Sequence, residues 1–220
     1  MDRDTAVGLI QQDLGFRTDL DSEIVASMQA AQIELEQGDL LPWFLMTSGE
    51  VTNGASDYDQ ITLPTGWLGE LEEESGLWLL DASGGDRVRR LERDDLDAIW
   101  SYPLPRASNA DGTGTPLNYA ISGEVIFLGP EIPSEQLYFE YRYLAKATVL
   151  TNNVENSWLA SAPGVLYNRA GMLIAKSLRD KEASAIFSEK YARAYDAMEK
   201  AHYRRLYSGA PQQMRYVHGT

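Results

Sequence analysis

The sequence predicts an α+β protein in which helices from both ends of the chain form one bundle and a β-rich, antiparallel region is inserted between them. Near both ends, apolar residues recur at intervals of three and four, the spacing of an amphipathic helix. In the middle, short apolar runs alternate with Gly, Pro, Asn and Asp, the pattern of strands joined by turns. We therefore expect a helical bundle from residues 1–46 and 151–207, a β-rich insertion at 47–150 and an extended tail at 208–220.

Two short helices are predicted at the N-terminus. Asp4 or Thr5 would cap the first, because a short polar side chain can accept a hydrogen bond from a free backbone N–H. The second would run from about Asp21 to Gly38, with an apolar stripe that indicates packing on a core. The bulky segment 41–45 follows, and since its proline prevents helix continuation, we expect its aromatic rings to hold a loop on the bundle.

The inserted region contains six candidate strands. The last one alternates regularly and places Leu137, Phe139, Tyr141 and Tyr143 on one face. Residues 63–68 are predicted as a strand end, a turn and a short helix, because Pro and Gly interrupt the apolar run. The strands are predicted at residues 59–63, 76–80, 88–91, 120–121, 124–128 and 136–143, with a further short helix at 93–99 and a long polar loop at 101–115.

Two long amphipathic helices are predicted between Asn156 and Tyr207. Their composition is rich in Ala, Leu, Met, Lys, Arg and Glu, which favour helices. Pro163 suits the first turn of one helix, where its missing N–H costs nothing. The polar run 179–182 marks the joint between the two.

The formal net charge of −14 is unevenly distributed. Residues 1–140 hold 27 Asp and Glu against 7 Lys and Arg, net −20, whereas residues 141–220 hold 6 against 12, net +6. Such a difference can orient a subunit against an oppositely charged partner or against its own neighbour in a ring, although solubility alone would also explain it. The overall acidity argues against a protein that reads nucleic-acid sequence, since that needs a concentrated basic surface.

No membrane, disulfide or secretory feature is expected. The chain has no cysteine, which fits a reducing compartment or a particle assembled inside a cell. The acidic N-terminus has no apolar stretch behind it, so no secretory signal is predicted. No apolar run approaches the roughly 20 residues that a membrane-spanning helix needs, so we expect no membrane span.

The common catalytic motifs are missing from the sequence, and we predict no catalytic residue, cofactor or metal ion. There is no Walker A loop, dinucleotide-binding glycine pattern, zinc-protease motif or serine-hydrolase elbow. The only histidines are His202 and His218, and we expect a surface or interface position for His202. The acids Glu72–Glu74, Asp94 and Asp95 could hydrolyse a glycan if they met across a cleft, but we favour a solvated surface for them.

One basic cluster, residues 87–93, stands within the acidic part of the chain. Strand alternation would place Arg87 and Arg89 on one face, where they could meet phosphate or a neighbouring subunit's acids. Pairing with nearby carboxylates of the same chain is the alternative that we prefer. We predict that arginines of this cluster and aromatic residues of the C-terminal part form an interface. The predicted interface residues are Arg87, Arg89, Arg90, Trp158, Tyr191, Tyr195 and Tyr203.

A series of loose structural motifs runs along much of the chain. These are the apolar segment 41–45, Pro116-x-x-Tyr119, Gly123-Glu124-x-Ile126-x-Leu128-x-Pro130, Leu137-x-x-x-Tyr141, Asn156-Ser157-Trp158-Leu159 and Pro163-x-x-Leu166. In this order, and followed by two long helices, they resemble the head-to-tail adaptor proteins of tailed phages.

This resemblance implies a non-enzymatic virion protein. It would form a ring, typically of twelve copies, beneath the portal protein in the neck of the virion, after assembly in the host cytoplasm. The ring would join the portal to the tail or nozzle proteins, and genome DNA would pass through its lumen without sequence-specific binding. The C-terminal segment of such proteins docks on the portal, which here assigns portal docking to Gly209, Pro211, Met214, Arg215, Tyr216 and His218.

Two alternatives stay open at this point. One is a polysaccharide hydrolase that uses a pair of the acidic side chains named above, and the other is a ring protein at a different position in the phage tail.

Overall fold

The computed structural model describes residues 1–54, 58–71, 74–101, 114–129, 135–151 and 156–207. The chain divides into a helical unit, Met1–Leu45 with Ala147–Thr220, and a β unit, Met46–Lys146. The predicted α+β class, with helices from both ends and antiparallel sheets between them, is confirmed. The unit boundaries lie at residues 45/46 and 146/147, beside the predicted 46/47 and 150/151.

The described residues form six α-helices. They are α1 (Arg3–Asp13), α2 (Asp21–Glu36), α3 (Leu96–Ser101), α4 (Ser157–Ser161), α5 (Pro163–Ser177) and α6 (Lys181–Tyr207), with 3₁₀ turns at Thr18–Leu20 and Trp43–Leu45. Helix α3 belongs to the β unit and the other five to the helical unit. Helix α5 is central in its unit, because α1, α2, α4 and α6 all pack against it.

The N-terminal cap of α1 is Asp2, and the predicted capping by Asp4 or Thr5 is wrong. The Asp2 carboxylate accepts a hydrogen bond from the backbone N–H of Thr5 at 2.7 Å. A cap must stand two or three residues before the N–H that it satisfies, and only Asp2 has that spacing here. The stripe predicted for α2 is confirmed, since Ile24, Met28, Ala31 and Leu35 are buried.

The C-terminal part forms a helical hairpin preceded by a short helix that the sequence did not predict. Asn156 caps this helix, α4, by accepting hydrogen bonds from the backbone N–H groups of Trp158 and Leu159 at 2.9 and 3.3 Å. Pro163 begins α5, as predicted. Asp180 caps α6 by accepting from the N–H of Ala183 at 3.0 Å, so the predicted joint at 179–182 is confirmed.

Helices α5 and α6 approach closely at a glycine. A Cβ atom at Gly171 would lie 2.4 Å from the ring of Phe187, which is completely buried. The missing side chain therefore provides the space for the ring, and Phe187 fills the interface between the two helices. This contact sets how near α6 can come to α5.

A buried polar network holds the returning chain against α2. The Glu36 carboxylate accepts hydrogen bonds from Gln32 Nε2 and the backbone N–H of Ala147, both at 3.0 Å, and from Trp158 Nε1 at 3.3 Å. Asn156 donates to Gln32 Oε1 at 3.0 Å. Because these groups are removed from water, each needs its partner, and together they specify where the chain re-enters the helical unit.

The β unit consists of nine strands among its described residues. They are β1 (Met46–Thr52), β2 (Gln60–Thr62), β3 (Trp67–Gly69), β4 (Gly76–Leu80), β5 (Arg87–Arg90), β6 (Glu92–Arg93), β7 (Asn118–Ser122), β8 (Val125–Gly129) and β9 (Tyr138–Ala145). One sheet has the order β1-β9-β4-β5, with β3 also paired to β9, and the other has the order β2-β8-β7-β6. All strand pairs are antiparallel except the two-residue pairing of β6 with β7.

The two sheets share one hydrophobic core. The alternation predicted for the last strand is confirmed, because Phe139, Tyr141 and Tyr143 of β9 are buried in this core and Leu137 packs against it. Leu77 of β4 and Ile126 of β8 bring the two sheets into the same cluster. The β unit is therefore two sheets packed on each other.

Three strands differ from the sequence prediction. Strand β6 takes the place of the start of the helix predicted at 93–99, which begins at Leu96 as α3, because Glu92 and Arg93 pair with β7. Strand β1 was not predicted, because its sequence is mostly polar and its order comes from pairing with β9 along seven residues. Residues 67–69 form β3 instead of the predicted short helix, since Trp67 pairs with Ala145 at the end of β9. In all three cases a partner that is distant in sequence decides the conformation.

Candidate functional site

A β-bulge decides which face each arginine of β5 occupies. Val88 has no partner on β4, so the register shifts by one residue. As a result, the guanidinium groups of Arg87 and Arg90 both lie over the ring of Trp78, 4.6 and 5.3 Å from its centroid. Arg89 instead donates to a backbone carbonyl at 2.8 Å. The prediction that Arg87 and Arg89 share a face is therefore wrong, and the pair over Trp78 is Arg87 with Arg90.

The arginines are engaged with groups of the same chain. Arg87 makes a two-pronged ion pair with Glu140, with Nε to Oε2 at 2.7 Å and Nη2 to Oε1 at 2.5 Å. These hydrogen bonds raise the pKa of Arg87 and lower the pKa of Glu140. Arg93 Nη1 lies 2.8 Å from a carboxylate oxygen of Glu70. Pairing with local carboxylates, the preferred alternative, is thus found for Arg87 and Arg93.

The β unit contains a charged cleft of about 840 Å³. Its polar lining consists of Glu70, Ser75, Arg90, Glu92, Arg93, Asp94, Asp95 and Tyr119. Both signs of charge are present, so the cleft is suited to a polar ligand or to a charged side chain of another protein.

Glu70 is an enclosed acid of this cleft, with a side chain only 3% exposed. It accepts a hydrogen bond from the Tyr119 hydroxyl at 2.8 Å and pairs with Arg93. Beside it, Trp67 Nε1 donates to the Tyr141 hydroxyl at 2.9 Å. The carboxylate therefore has a cation and a hydroxyl donor within the chain, which is the arrangement that a buried charge requires.

Burial raises the pKa of both Tyr119 and Tyr141, and the negative charge of Glu70 raises each further. In the folded protein these hydroxyls keep their protons at a pH where an unfolded chain loses them, near pH 10. The folded state then binds more protons than the unfolded state. The free energy of unfolding of the β unit consequently falls as the pH rises above about 10.

We expect Tyr119→Phe to change stability in two ways. Below about pH 10 it lowers the free energy of unfolding by about 1–3 kcal/mol, because Glu70 loses a buried donor. Above that pH the mutant loses stability less steeply than the wild type, since one of the two tyrosines no longer ionises on unfolding. Urea unfolding from about pH 8 to 11, followed by amide exchange in β7 and β9, measures both effects.

Tyr203→Phe is the matched control, because it removes the hydroxyl of a residue 44% exposed in the helical unit. Equal pH slopes for Tyr119→Phe and wild type would contradict the assignment of the alkaline instability to the buried tyrosines.

The acids proposed for a hydrolase are only partly brought together. Asp94 and Asp95 both line the cleft. The two oxygens of Asp94 accept hydrogen bonds from the backbone N–H of Asp95 at 2.9 Å and from the Asn118 amide at 3.1 Å, so this carboxylate holds the turn before α3. Glu72 and Glu73 lie outside the described residues, and Glu74 does not line the cleft.

Trp158 is a core residue, and its prediction as an interface residue is wrong. Its side chain is completely buried. Its ring meets the edge of Phe44, with the centroids 5.1 Å apart, and its Nε1 donates to Glu36. Both the apolar ring and the polar N–H are therefore satisfied within the helical unit, which leaves no surface for a partner.

The three predicted interface tyrosines lie along α6, two of them partly buried and one exposed. Tyr191 is half-buried beneath the guanidinium of Arg169, 5.7 Å from the ring centroid, and packs on Tyr195 with 5.7 Å between centroids. Burial raises the pKa of both. Tyr203 is 44% exposed, so of the three it presents the most surface to a partner.

His202 is buried, and the expected surface or interface position is wrong. Only 3% of the residue is exposed. Its Nδ1 accepts a hydrogen bond from the backbone N–H of Trp43 at 3.3 Å, and the two rings are stacked. The aromatic rings of the bulky segment 41–45 thus hold it on the bundle, as predicted. The imidazole of His202 is a partner that was not predicted.

The predicted portal-docking residues, from Gly209 to His218, lie outside the described part of the chain. Within the described ranges, no group of three or more His, Asp or Glu side chains is arranged to hold a metal ion. None of the helices described is both long enough and apolar enough to span a bilayer.

Sequence reasoning missed the buried polar residues that organise both units. Glu36, Gln32 and Glu70 read as ordinary charged or polar positions, since a single sequence shows no sign of which acids become enclosed. For Glu36 a weak signal existed, because it shares a helix face with Gln32 and the apolar Met28.

Comparison of the chain with protein-family models and with curated proteins gave no match in either case.

Proposed function

We propose that the chain is a structural subunit of a phage neck, a head-to-tail adaptor that forms a ring under the portal and joins it to the tail. The observation that carries the proposal is the role of the residues behind the resemblance. They are architectural: Asn156 caps α4, Trp158 fills the core and Pro163 begins α5. Tyr119 and Tyr141 occupy the core of the β unit. Residues in these positions maintain the shape of the subunit, and a ring component functions through its shape.

The distribution of charge supports assembly from identical copies. The β unit, residues 46–146, carries 18 acids against 7 Lys and Arg, net −11. In the helical unit, residues 1–45 carry 9 acids against 2 bases, net −7, whereas residues 147–220 carry 6 against 10, net +4. The helical unit thus combines an acidic N-terminal half with a basic C-terminal half, so the two halves of neighbouring copies attract each other.

Co-purification of the chain with the portal protein encoded by the same genome tests the proposal. We expect a stable complex whose images show a closed ring of this chain, at twelve copies, coaxial with the portal. A chain that stays monomeric and passes the portal unbound, or one that binds a tail component and not the portal, would overturn it. The second result would favour a ring elsewhere in the tail.

Removal of residues 208–220 is expected to abolish portal association and to leave thermal unfolding nearly unchanged. The tail carries few apolar residues, so its ordering should be coupled to binding. Binding to the portal ring and the unfolding temperature of the same preparation give the two readouts. A large loss of stability would mean that the tail belongs to the core of the helical unit.

A second candidate function has one observation in its favour, the charged cleft in which Asp94 and Asp95 meet Glu70. Two carboxyl groups that flank a glycosidic bond can hydrolyse it. However, Glu70 is paired with Arg93 and Asp94 is bound to backbone and amide donors, which leaves Asp95 as the least committed of these three acids. Release of oligosaccharides from capsule or cell wall by wild-type protein, lost in Asp95→Asn and Glu70→Gln, would support a hydrolase.

A further inference from the structure

Two residues other than glycine have a positive φ in the described part of the chain, Phe16 with +62° and Arg179 with +59°. This backbone conformation is disfavoured for any residue with a Cβ, and most of all for a bulky one. Glycine would fit both positions better. Strained residues of this kind often mark functional surfaces.

Phe16 lies in the exposed turn that follows α1. The backbone N–H of Phe16 donates to the carbonyl of Gln11 at 2.8 Å, and Gly15 before it also has a positive φ, so the backbone of the turn is held in place. The side chain is nevertheless 74% exposed, the largest exposure of a bulky apolar residue in the described chain. The helix end therefore presents an aromatic ring to the outside of the subunit.

The surroundings of Phe16 are acidic. Residues 13–23 contain four acids and one arginine, net −3. Asp13 and Asp19 are paired with Lys190 and Arg17. The carboxylates of Asp21 and Glu23 accept hydrogen bonds from the neutral donors Gln11 and Ser22, so their charges can act on a cation of another molecule.

Arg179 stands in the turn between α5 and α6. The N–H of Asp180 donates to the carbonyl of Ala175 at 2.9 Å, and the N–H of Arg179 to that of Lys176 at 3.1 Å, a helix end in which glycine usually occupies the position of Arg179. The sequence thus keeps a cation at a place where the backbone favours glycine.

Beside this turn lies a groove of about 630 Å³ formed by α5 and α6. Met172 and Ala175 are its buried floor, and Ala185 its exposed wall. Lys176, Arg179 and Lys181 surround it together with one acid, Asp180, whose carboxylate caps α6. None of the three cations takes part in a salt bridge among the described residues, so three positive charges stand against one negative. The groove is therefore apolar inside and basic at its rim.

We propose that the groove binds the Phe16 turn of a second copy of this chain. The aromatic ring would enter against Met172 and Ala175, and the acids after it, Asp21 and Glu23, would meet the basic rim. The argument for this occupant is complementarity on both counts, an acidic turn with an exposed ring against a basic groove with an apolar floor.

The two partners of this contact are different parts of the subunit. No residue that lines the groove comes from α1 or the turn after it. Such a contact is head-to-tail when two neighbours make it once, and it then closes into a ring if the rotation between subunits permits; made twice by the same two subunits, it gives a two-fold dimer. The inference rests on the proposed function, because it assigns the contact between neighbouring subunits of the neck ring.

Cross-linking tests the contact directly, because the chain has no cysteine and any introduced thiol is unique. The variant Phe16→Cys with Ala185→Cys is treated with a short bismaleimide, both alone at high concentration and on the portal ring. We expect a ladder of covalent oligomers up to the full ring. Val149→Cys with Ala185→Cys is the matched control, since Val149 is also exposed, at 66%, and lies outside the proposed contact.

The length of the ladder separates this geometry from a two-fold dimer, in which two reciprocal contacts join the same two subunits and cross-linking of Phe16→Cys with Ala185→Cys stops at the dimer. The single variants test whether the Phe16 turn meets the groove or its own copy. Phe16→Cys alone and Ala185→Cys alone should give no covalent dimer, because each thiol faces an unlike surface. Dimers of Phe16→Cys would overturn the head-to-tail contact. A portal-bound ring that assembles fully and gives no ladder would overturn this inference and leave the adaptor function standing. A ladder from a chain that never binds the portal would support the contact and refute the adaptor.

A charge exchange gives a second, non-covalent readout. Arg179→Glu should weaken self-association at least tenfold, and Asp21→Lys should do the same, whereas the double variant should recover most of the loss. Sedimentation or mass photometry across a concentration series measures the association. Equal and additive losses without recovery would place the two charges in different contacts and overturn the pairing.

Discussion

Replacement of Phe187 by alanine will lower the free energy of unfolding of the helical unit by about 3–5 kcal/mol. Phe187 is completely buried between α5 and α6, and its removal leaves a cavity beside Gly171 at their interface. Gly171→Ala will cost about 1–3 kcal/mol for the opposite reason, because the new methyl group would overlap the ring. Urea unfolding, monitored by the far-UV circular dichroism of the helices, measures both losses of stability.

The double variant makes this prediction specific. In the Phe187→Ala background the methyl group of Gly171→Ala enters the cavity, and alanine is the better helix former by about 1 kcal/mol. Gly171→Ala should therefore change sign and stabilise. If it costs the same in both backgrounds, the contact between Gly171 and Phe187 is not the cause. Ile186→Ala, at a position 44% exposed on the same helix, serves as the control and should have little effect.

Trp158→Ala is expected to destabilise the helical unit by about 3–5 kcal/mol. It removes the largest fully buried side chain together with the N–H group that donates a hydrogen bond to Glu36. Trp158→Phe keeps most of the ring volume and loses the donor, so we expect a smaller loss of about 1–3 kcal/mol, because the buried Glu36 carboxylate keeps only two of its three donors. Chemical unfolding of the two variants separates the packing contribution from the hydrogen bond.

The same variants distinguish a core residue from an interface residue. Because Trp158 has no exposed surface, any loss of ring assembly in Trp158→Phe should follow the loss of folded protein and disappear when assembly is expressed per folded subunit. Tyr203→Ala is the comparison, since Tyr203 is 44% exposed on α6. Weakened assembly by Trp158→Phe at full stability would restore the interface interpretation that burial contradicts.

The patterns that depend on local sequence predicted the structure well. Helical spacing located α2, α5 and α6, and alternation located β9 with its buried face, because each pattern is set by which side of one element meets the core. Turn residues located the joint before α6. The charge difference between the two halves of the helical unit was also present in the composition, as was the lack of common catalytic motifs.

The tertiary structure alone decided everything that depends on a distant partner. The mostly polar strand β1 forms because β9 lies beside it, and the bulge at Val88 moves Arg87 to the face of Arg90. Burial of Trp158 and His202 corrected two predicted surface positions. In each case the physical reason is that strand pairing and desolvation join residues far apart in the chain, so neither can be read from the neighbours of a residue in sequence.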